Sequence, residues 1–163
     1  MNRTVVTRAA GVGCRLLLAG VWLYAGAAKV GDLNGSVRAV KAYRILPNGV
    51  ADWVGAALPL VEIGLALLLL VGLATRVAAL ASALLLAGFV IGISAAWARG
   101  LRIDCGCFGG GGDLAAGESP TYTLELARDG LFLLAAGFLV VWPRTIWSLD
   151  TWLARADDRL PVP

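Results

Sequence analysis

The sequence predicts an all-α fold: a four-transmembrane-helix bundle with short interfacial helices, forming one domain over residues 1–163. Three observations carry that reading. The chain is 59% hydrophobic with a mean hydropathy of +0.79. Only 15% of its residues are charged, against roughly 25% in a soluble domain of ordinary composition. Its apolar residues gather into four stretches, each near the roughly 20 residues that a helix needs to cross the hydrocarbon core. Four spans use up the length and leave no room for a separate soluble domain.

The first span is expected over residues 10–30, with Leu16-Leu17-Leu18-Ala19-Gly20-Val21-Trp22-Leu23-Tyr24 at its centre. Arg3 and Arg8 precede it, and Ala25-Gly26-Ala27 offers small residues of the kind a signal peptidase cuts. A cleaved leader is therefore the competing reading; the three later spans and Arg15 inside the apolar run argue against it. Residues 31–51 form a polar link. There Val37, Val40 and Ile45 alternate with Arg38, Lys41 and Arg44 at near-helical spacing, which suits a short helix lying on the membrane surface. Pro47-Asn48-Gly49 ends it.

The second span is expected over 53–73, with Pro59 and Glu62 inside it, and Thr75-Arg76 makes a tight turn. The third covers 77–97, where Gly88 and Gly92 stand four apart and permit close helix contact. With 21 glycines in the chain, chance explains that spacing equally well. Residues 98–120 are a second link, carrying Cys105, Cys107 and a run of glycines. The fourth span covers 122–142 and stops at Pro143, with Glu125, Arg128 and Asp129 in its first turns. The tail from Thr145 to Arg159 sets Ile146, Leu149, Trp152 and Leu153 among charges, the pattern of a second surface helix. Trp53, Trp97 and Trp142 mark span ends, and Tyr43 and Tyr122 fall at expected interfaces. Such a belt of aromatic rings is what the membrane boundary selects.

Four spans put both termini and the Arg76 turn on one side and both links on the other. Arg3, Arg8, Arg15, Arg76, Arg144, Arg155 and Arg159 then balance Lys29, Arg38, Lys41, Arg44, Arg99, Arg102 and Arg128. The positive-inside rule is tied. A working cysteine pair fits an oxidising compartment, so the links are placed outside the cell membrane and the termini in the cytoplasm.

Several chemistries are excluded. The chain has no histidine, which removes histidine metal sites, haem ligation by histidine and a histidine base. Three cysteines do not fill a tetrahedral zinc site, so no metal is expected. Gly109–Gly112 lacks the Lys-Ser/Thr that would follow in a nucleotide loop. No Lys/Arg cluster points to nucleic acid.

Cys105 and Cys107 are the candidate catalytic residues. Closing a disulfide across one glycine makes a small, strained ring, and strain makes a disulfide more oxidising and easier to exchange. Exchange needs an accessible thiolate beside positive charge. Arg99 and Arg102 lie just upstream, Asp104 opposes them, and the glycines would let the loop swing toward a partner. The bland reading is a structural disulfide or two inert thiols. Cys14 should lie on the order of 25 Å away along the first helix and reads as a small buried hydrophobe. Glu62 is a mid-span carboxylate, which is expensive unless paired. Lys29 and Arg15 are its candidate partners, either in a buried pair that fixes helix register or at a proton or quinone site. Arg128 and Asp129 are adjacent, so each is expected to pair elsewhere, Arg128 with the cysteine loop.

The segments Tyr24-Ala25-Gly26-Ala27-Ala28-Lys29, Ala42-Tyr43-Arg44-Ile45-Leu46-Pro47, Leu58-Pro59-Leu60-Val61-Glu62, Gly72-Leu73-Ala74-Thr75-Arg76 and Cys105-Gly106-Cys107-Phe108-Gly109 occur in this order. That order resembles the MauE-type methylamine-utilisation membrane proteins, within the wider DoxX-like group, over residues 10 to 142. Cys-Gly-Cys-Phe-Gly is the most specific element. The resemblance implies a four-helix membrane fold. It also implies a role, with a thioredoxin-like partner, in maturing a disulfide-rich periplasmic subunit of methylamine dehydrogenase or a related secreted protein. It carries over to Lys29, Pro59, Glu62, Cys105 and Cys107.

The function expected is thus a membrane thiol–disulfide oxidoreductase or disulfide-maturation factor. Cys105 and Cys107 would react; Glu62, Lys29, Arg102 and Arg128 would support them or form a quinone or proton site. A quinone is the candidate cofactor; the partners are a thioredoxin-like protein and membrane lipid. Only one cysteine pair is present, so electrons would pass directly to a quinone or to a second protein. The alternatives are a non-enzymatic membrane anchor or assembly factor, and a DoxX-like quinone-linked subunit.

Overall fold

The computed structural model describes residues 3–157. Its helices are α1 (Arg3–Val30), α2 (Leu33–Ala42), α3 (Asn48–Val71), α4 (Thr75–Ala98), α5 (Tyr122–Val141) and α6 (Leu149–Asp157). Two short strands, β1 (Ile103–Asp104) and β2 (Gly112–Asp113), pair antiparallel, with Ile103 opposite Asp113 and Asp104 opposite Gly112.

Among the described residues, three helices are long and apolar enough to cross a membrane: Thr4–Val30, Asn48–Val71 and Thr75–Ala98. The expected fourth, α5, has 20 residues but is not apolar enough to join them. The reason lies in Glu125, Arg128 and Asp129, three charges within its first two turns. It still packs in the bundle, chiefly against α4 and also against α1, while α1 packs most extensively against α3.

The central core joins Leu18 and Trp22 of α1, Leu65 and Leu69 of α3, Leu86 of α4 and Leu139 of α5. Trp22 donates its indole N–H to Ser82 Oγ at 2.9 Å, so the one polar atom of this large ring is satisfied on burial. Close approach of α1 and α3 depends on Gly26. A Cβ there would stand 2.7 Å from Ile63 Cγ1 and 3.0 Å from the Pro59 carbonyl oxygen. The Gly88–Gly92 pair does not seal two helices: a Cβ at Gly92 would stand 3.3 Å from the Tyr43 ring, and among the described residues no neighbouring element comes within 4 Å of a Cβ at Gly88.

Asp32 caps α2 by accepting the Gly35 N–H at 2.8 Å. The buried face of α2 is Gly35, Ser36, Ala39 and Ala42, small residues that let it dock on α3 through a Ser36 Oγ to Gly55 carbonyl bond of 2.7 Å. The expected interfacial helix is therefore clamped to the bundle. The tail helix starts at Leu149 rather than Thr145, because Arg15 holds the preceding segment. Its guanidinium donates to Thr145 Oγ1 and to the Trp147 carbonyl, each at 3.0 Å. Arg159, placed in that helix by the sequence pattern, lies outside the described residues.

Trp53, Trp97 and Trp142 are all exposed, as a membrane belt requires. The two tyrosines expected in that belt are not part of it. Tyr122 is buried, and the Tyr43 hydroxyl bonds to the cysteine loop.

Candidate functional site

The cysteine loop sits where the ends of α1, α2, α4 and α5 meet. Its glycines do not form the swinging hinge that their number suggests. Gly106 has φ +66 and Gly111 φ +90, and both press on Ala39 of α2. A Cβ at either glycine would come within 2.6 Å of the Ala39 Cβ. The left-handed backbone and the missing Cβ together fold the loop down on the bundle. Cys105 and Cys107 are free thiols, 9% and 6% exposed. The expectation of accessible thiols is thereby corrected: the loop packs them into an apolar cluster with Ala42, Ile93, Ala96, Ile103 and Tyr122.

Two tyrosines anchor the base of the loop. The Tyr43 hydroxyl donates to the Cys105 carbonyl at 3.0 Å. The Tyr122 hydroxyl donates to the Leu101 carbonyl at 2.6 Å and accepts the Ile103 N–H at 3.1 Å. Asp104 Oδ1 accepts the Gly106 N–H at 2.9 Å, tightening the turn between the cysteines.

The thiols are unequal. The Cys107 N–H points at Cys105 Sγ at 3.3 Å, and Arg128 Nη2 approaches the same sulfur at 3.9 Å. Hydrogen bonding from the Cys107 thiol holds Cys105 below the usual thiol range against the effect of burial, and Arg128 adds to the lowering. The same pairing, together with burial, pushes Cys107 far up. Burial and the neighbouring thiols also raise the Tyr43 phenol, so it stays a donor. Of the two thiols, Cys105 is therefore the more acidic.

The positive charge comes from an arginine other than those expected upstream. Arg99 donates to the carbonyls of Tyr43 and Arg44 beyond the end of α4. Arg102 is exposed and donates to the Glu118 carbonyl. Arg128 reaches the loop as anticipated, with its guanidinium 4.6 Å from the Phe108 ring centroid, and Phe108 in turn meets the Tyr24 ring at 5.4 Å. The expectation that Arg128 and Asp129 pair apart is overturned. Arg128 Nε donates to Asp129 Oδ1 at 2.9 Å, because the long arginine chain can curl back over its neighbour.

Glu62 pairs with Lys29 in a fully buried ion pair, and the Lys29 ammonium also lies 5.7 Å from the Phe89 ring centroid. Arg15, the other candidate partner, is committed to Thr145 and Trp147. Cys14 packs against the central core, away from the loop cluster. The pair links α1 to α3 and stands apart from the thiols. Ala28, next to Lys29 in α1, is covered by the backbone at Gly109 of the cysteine loop.

Sequence reasoning missed Glu125. Its Oε1 accepts from Thr121 Oγ1 at 3.0 Å, while Oε2 is buried without a partner among the described residues. Asp104, Cys105 and Glu125 bring three possible ligand atoms within 4.8 Å of one another, one short of a tetrahedral set. The spacing Tyr122, Glu125, Asp129 puts these residues on one helical face, a signal that was legible in the sequence.

Residues 7–142 match the family model described as methylamine utilisation protein MauE. No curated protein and no solved structure matches the chain.

Proposed function

From the premise that the chain belongs to the MauE family, membrane proteins of methylamine utilisation, we propose that it is a thiol–disulfide exchange factor of the cell membrane. In this reading α5 is a fourth span beside the three apolar ones, its charges gathered at the loop end. The termini are cytoplasmic and the cysteine loop is extracytoplasmic. The observation that carries the reading is the asymmetric setting of the two sulfurs: Cys105 Sγ lies 3.9 Å from Arg128 Nη2 and 3.3 Å from the Cys107 N–H, a setting that favours its thiolate over that of Cys107.

The exchange runs as follows. The Cys105 thiolate attacks a disulfide sulfur of a thioredoxin-like partner, forming a mixed disulfide and releasing one partner thiolate. Cys107, once deprotonated, attacks Cys105 Sγ, closes the intramolecular disulfide and releases the second partner thiolate. Two electrons have then passed to the partner, and the reverse sequence oxidises it. In the oxidising direction the Cys105–Cys107 disulfide takes two electrons from a partner dithiol, and a membrane quinone would then accept two electrons and two protons from the reduced pair to restore it.

Non-reducing electrophoresis of the protein mixed with an oxidised thioredoxin-fold partner tests the proposal. Cys107→Ser should trap a mixed disulfide through Cys105, and Cys105→Ser should trap far less. Thiol exchange that persists unchanged in the double serine variant overturns the proposal, and a Cys107→Ser variant that traps no mixed disulfide overturns it in favour of an anchor or assembly role.

A further inference from the structure

At the end of the bundle opposite the cysteines, a cleft of about 920 Å³ opens beside the α3–α4 turn and the segment that leads into α6. Arg8, Arg76 and Arg144 line it. All three are exposed, and none makes a hydrogen bond or ion pair among the described residues. The one carboxylate in the lining, Asp150, is already engaged. Its two oxygens accept the Ala74 and Thr75 N–H groups at 2.7 and 2.8 Å, capping α4. Thr75 adds a second observation: its side chain is fully buried, lines the cleft, and carries a hydroxyl with no partner among the described residues. Three guanidinium groups without partners among the described residues line one cleft, above a buried hydroxyl that also lacks one, and planar guanidinium forks suit phosphate oxygens.

The surroundings favour a lipid as the source of that anion. The α3–α4 turn is where two of the apolar helices end and begin, so the cleft lies at the membrane boundary. Trp147 has φ +56, a costly conformation for a bulky residue, held by the bond from Arg15 to its carbonyl. This leaves the Trp147 indole 88% exposed at the rim, near an exposed Trp152, where tryptophan sits among headgroups. A second hollow of about 340 Å³ shares Arg8 and Arg144 and continues along Val141 and Trp142, apolar wall suited to a glycerol and acyl chain.

We propose that this cleft binds the phosphate of an anionic phospholipid through Arg8, Arg76 and Arg144. The test uses the full chain in zwitterionic phosphatidylcholine micelles, titrated with phosphatidylglycerol or, separately, with inorganic phosphate, and read by thermal shift. Phosphatidylglycerol should stabilise the wild type. Each guanidinium lost should weaken binding about five-fold, and the triple variant R8Q/R76Q/R144Q about a hundred-fold. Arg38→Gln, which removes an exposed charge at the other end, should bind as the wild type does. Stabilisation by inorganic phosphate alone, lost in the triple variant, would keep the site and overturn the lipid source. A triple variant that responds to phosphatidylglycerol as the wild type does, or an Arg38→Gln variant that loses as much as the triple, overturns the site.

Discussion

The lowered thiol of Cys105 can be tested by removing the charge beside it. Arg128 Nη2 stands 3.9 Å from Cys105 Sγ. At an effective dielectric of about 20, a full thiolate–guanidinium pair at that distance is worth at most about 4 kcal/mol. Arg128 is 26% exposed, and Asp129 lies 2.9 Å from its Nε, so solvent and the carboxylate cancel part of this. What survives that cancellation lowers the Cys105 thiol, as a lesser cause beside the Cys107 bond. Neutralising Arg128 alone would orphan a buried carboxylate, so the informative variant is R128Q/D129N in a Cys14→Ser background. The measurement is the rate of iodoacetamide alkylation at Cys105 against pH, with peptides resolved by mass spectrometry. A lowered thiol reacts fully from a lower pH, and its rate falls only as pH drops through its own midpoint. In the variant that midpoint should move up. A ten-fold loss of thiolate returns about three-fold in nucleophilicity, so a loss of that size would slow the rate at neutral pH about three-fold. Arg128→Lys should keep most of the lowering, and Cys107→Ala should raise the midpoint further, since the Cys107 bond is the larger cause. A midpoint unchanged in R128Q/D129N would refute the electrostatic reasoning.

Removing either member of the Lys29–Glu62 pair leaves an uncompensated buried group, so Lys29→Met or Glu62→Gln should each cost about 3–5 kcal/mol, and the double variant less than their sum; thermal unfolding in detergent measures the cycle, and strict additivity would show that the two do not interact. Ala39→Leu adds bulk where Gly106 and Gly111 press on α2. It should cost about 1–3 kcal/mol and speed alkylation of Cys105 above its midpoint by lifting the loop; an unchanged rate would mean that Ala39 does not hold the loop closed. Asp150→Ala uncaps α4 and should lower stability by about 1 kcal/mol, visible as faster amide exchange at Ala74 and Thr75.

Periodicity and hydropathy made the helices legible, because each long apolar run must bury or face lipid whatever its neighbours do. They could not say which small residues bring elements together. Gly26 reads as part of a cleavage-like tripeptide, yet its missing Cβ is what admits Ile63 and the Pro59 carbonyl. Lys29 and Glu62 were legible as partners, since an ion in a span must find its opposite. Arg102 was misjudged for the opposite reason: closeness in sequence says little about direction in a loop, and it turned toward the Glu118 carbonyl. Tyr43 and Tyr122 look like belt residues because a tyrosine near a span end suits an interface equally well with its ring in lipid or its hydroxyl in the protein. Only the fold of the loop between them decides that.

The burial of the thiols bears directly on how exchange would begin. A partner disulfide cannot reach a sulfur that is 9% exposed until something moves. The contacts of the loop divide it into two parts. Its base is held by hydrogen bonds: Tyr122 to Leu101 and Ile103, and Tyr43 to the Cys105 carbonyl. Its tip is held by packing, with Gly106 and Gly111 on Ala39, Gly109 on Ala28, and Phe108 between Tyr24 and Arg128. Lifting the tip exchanges apolar contact for contact with a partner and leaves the base bonds in place. Cys105 sits at the boundary, its carbonyl fixed to Tyr43 and its sulfur covered by the tip, whereas Cys107 travels with the tip. Docking of an apolar partner surface would therefore uncover the more reactive sulfur without surrendering its anchor, and would draw away the Cys107 thiol that lowers it. Arg128 is then the remaining source of positive charge at Cys105 during attack, which is why its removal should slow exchange with a protein partner more than it slows alkylation by a small reagent.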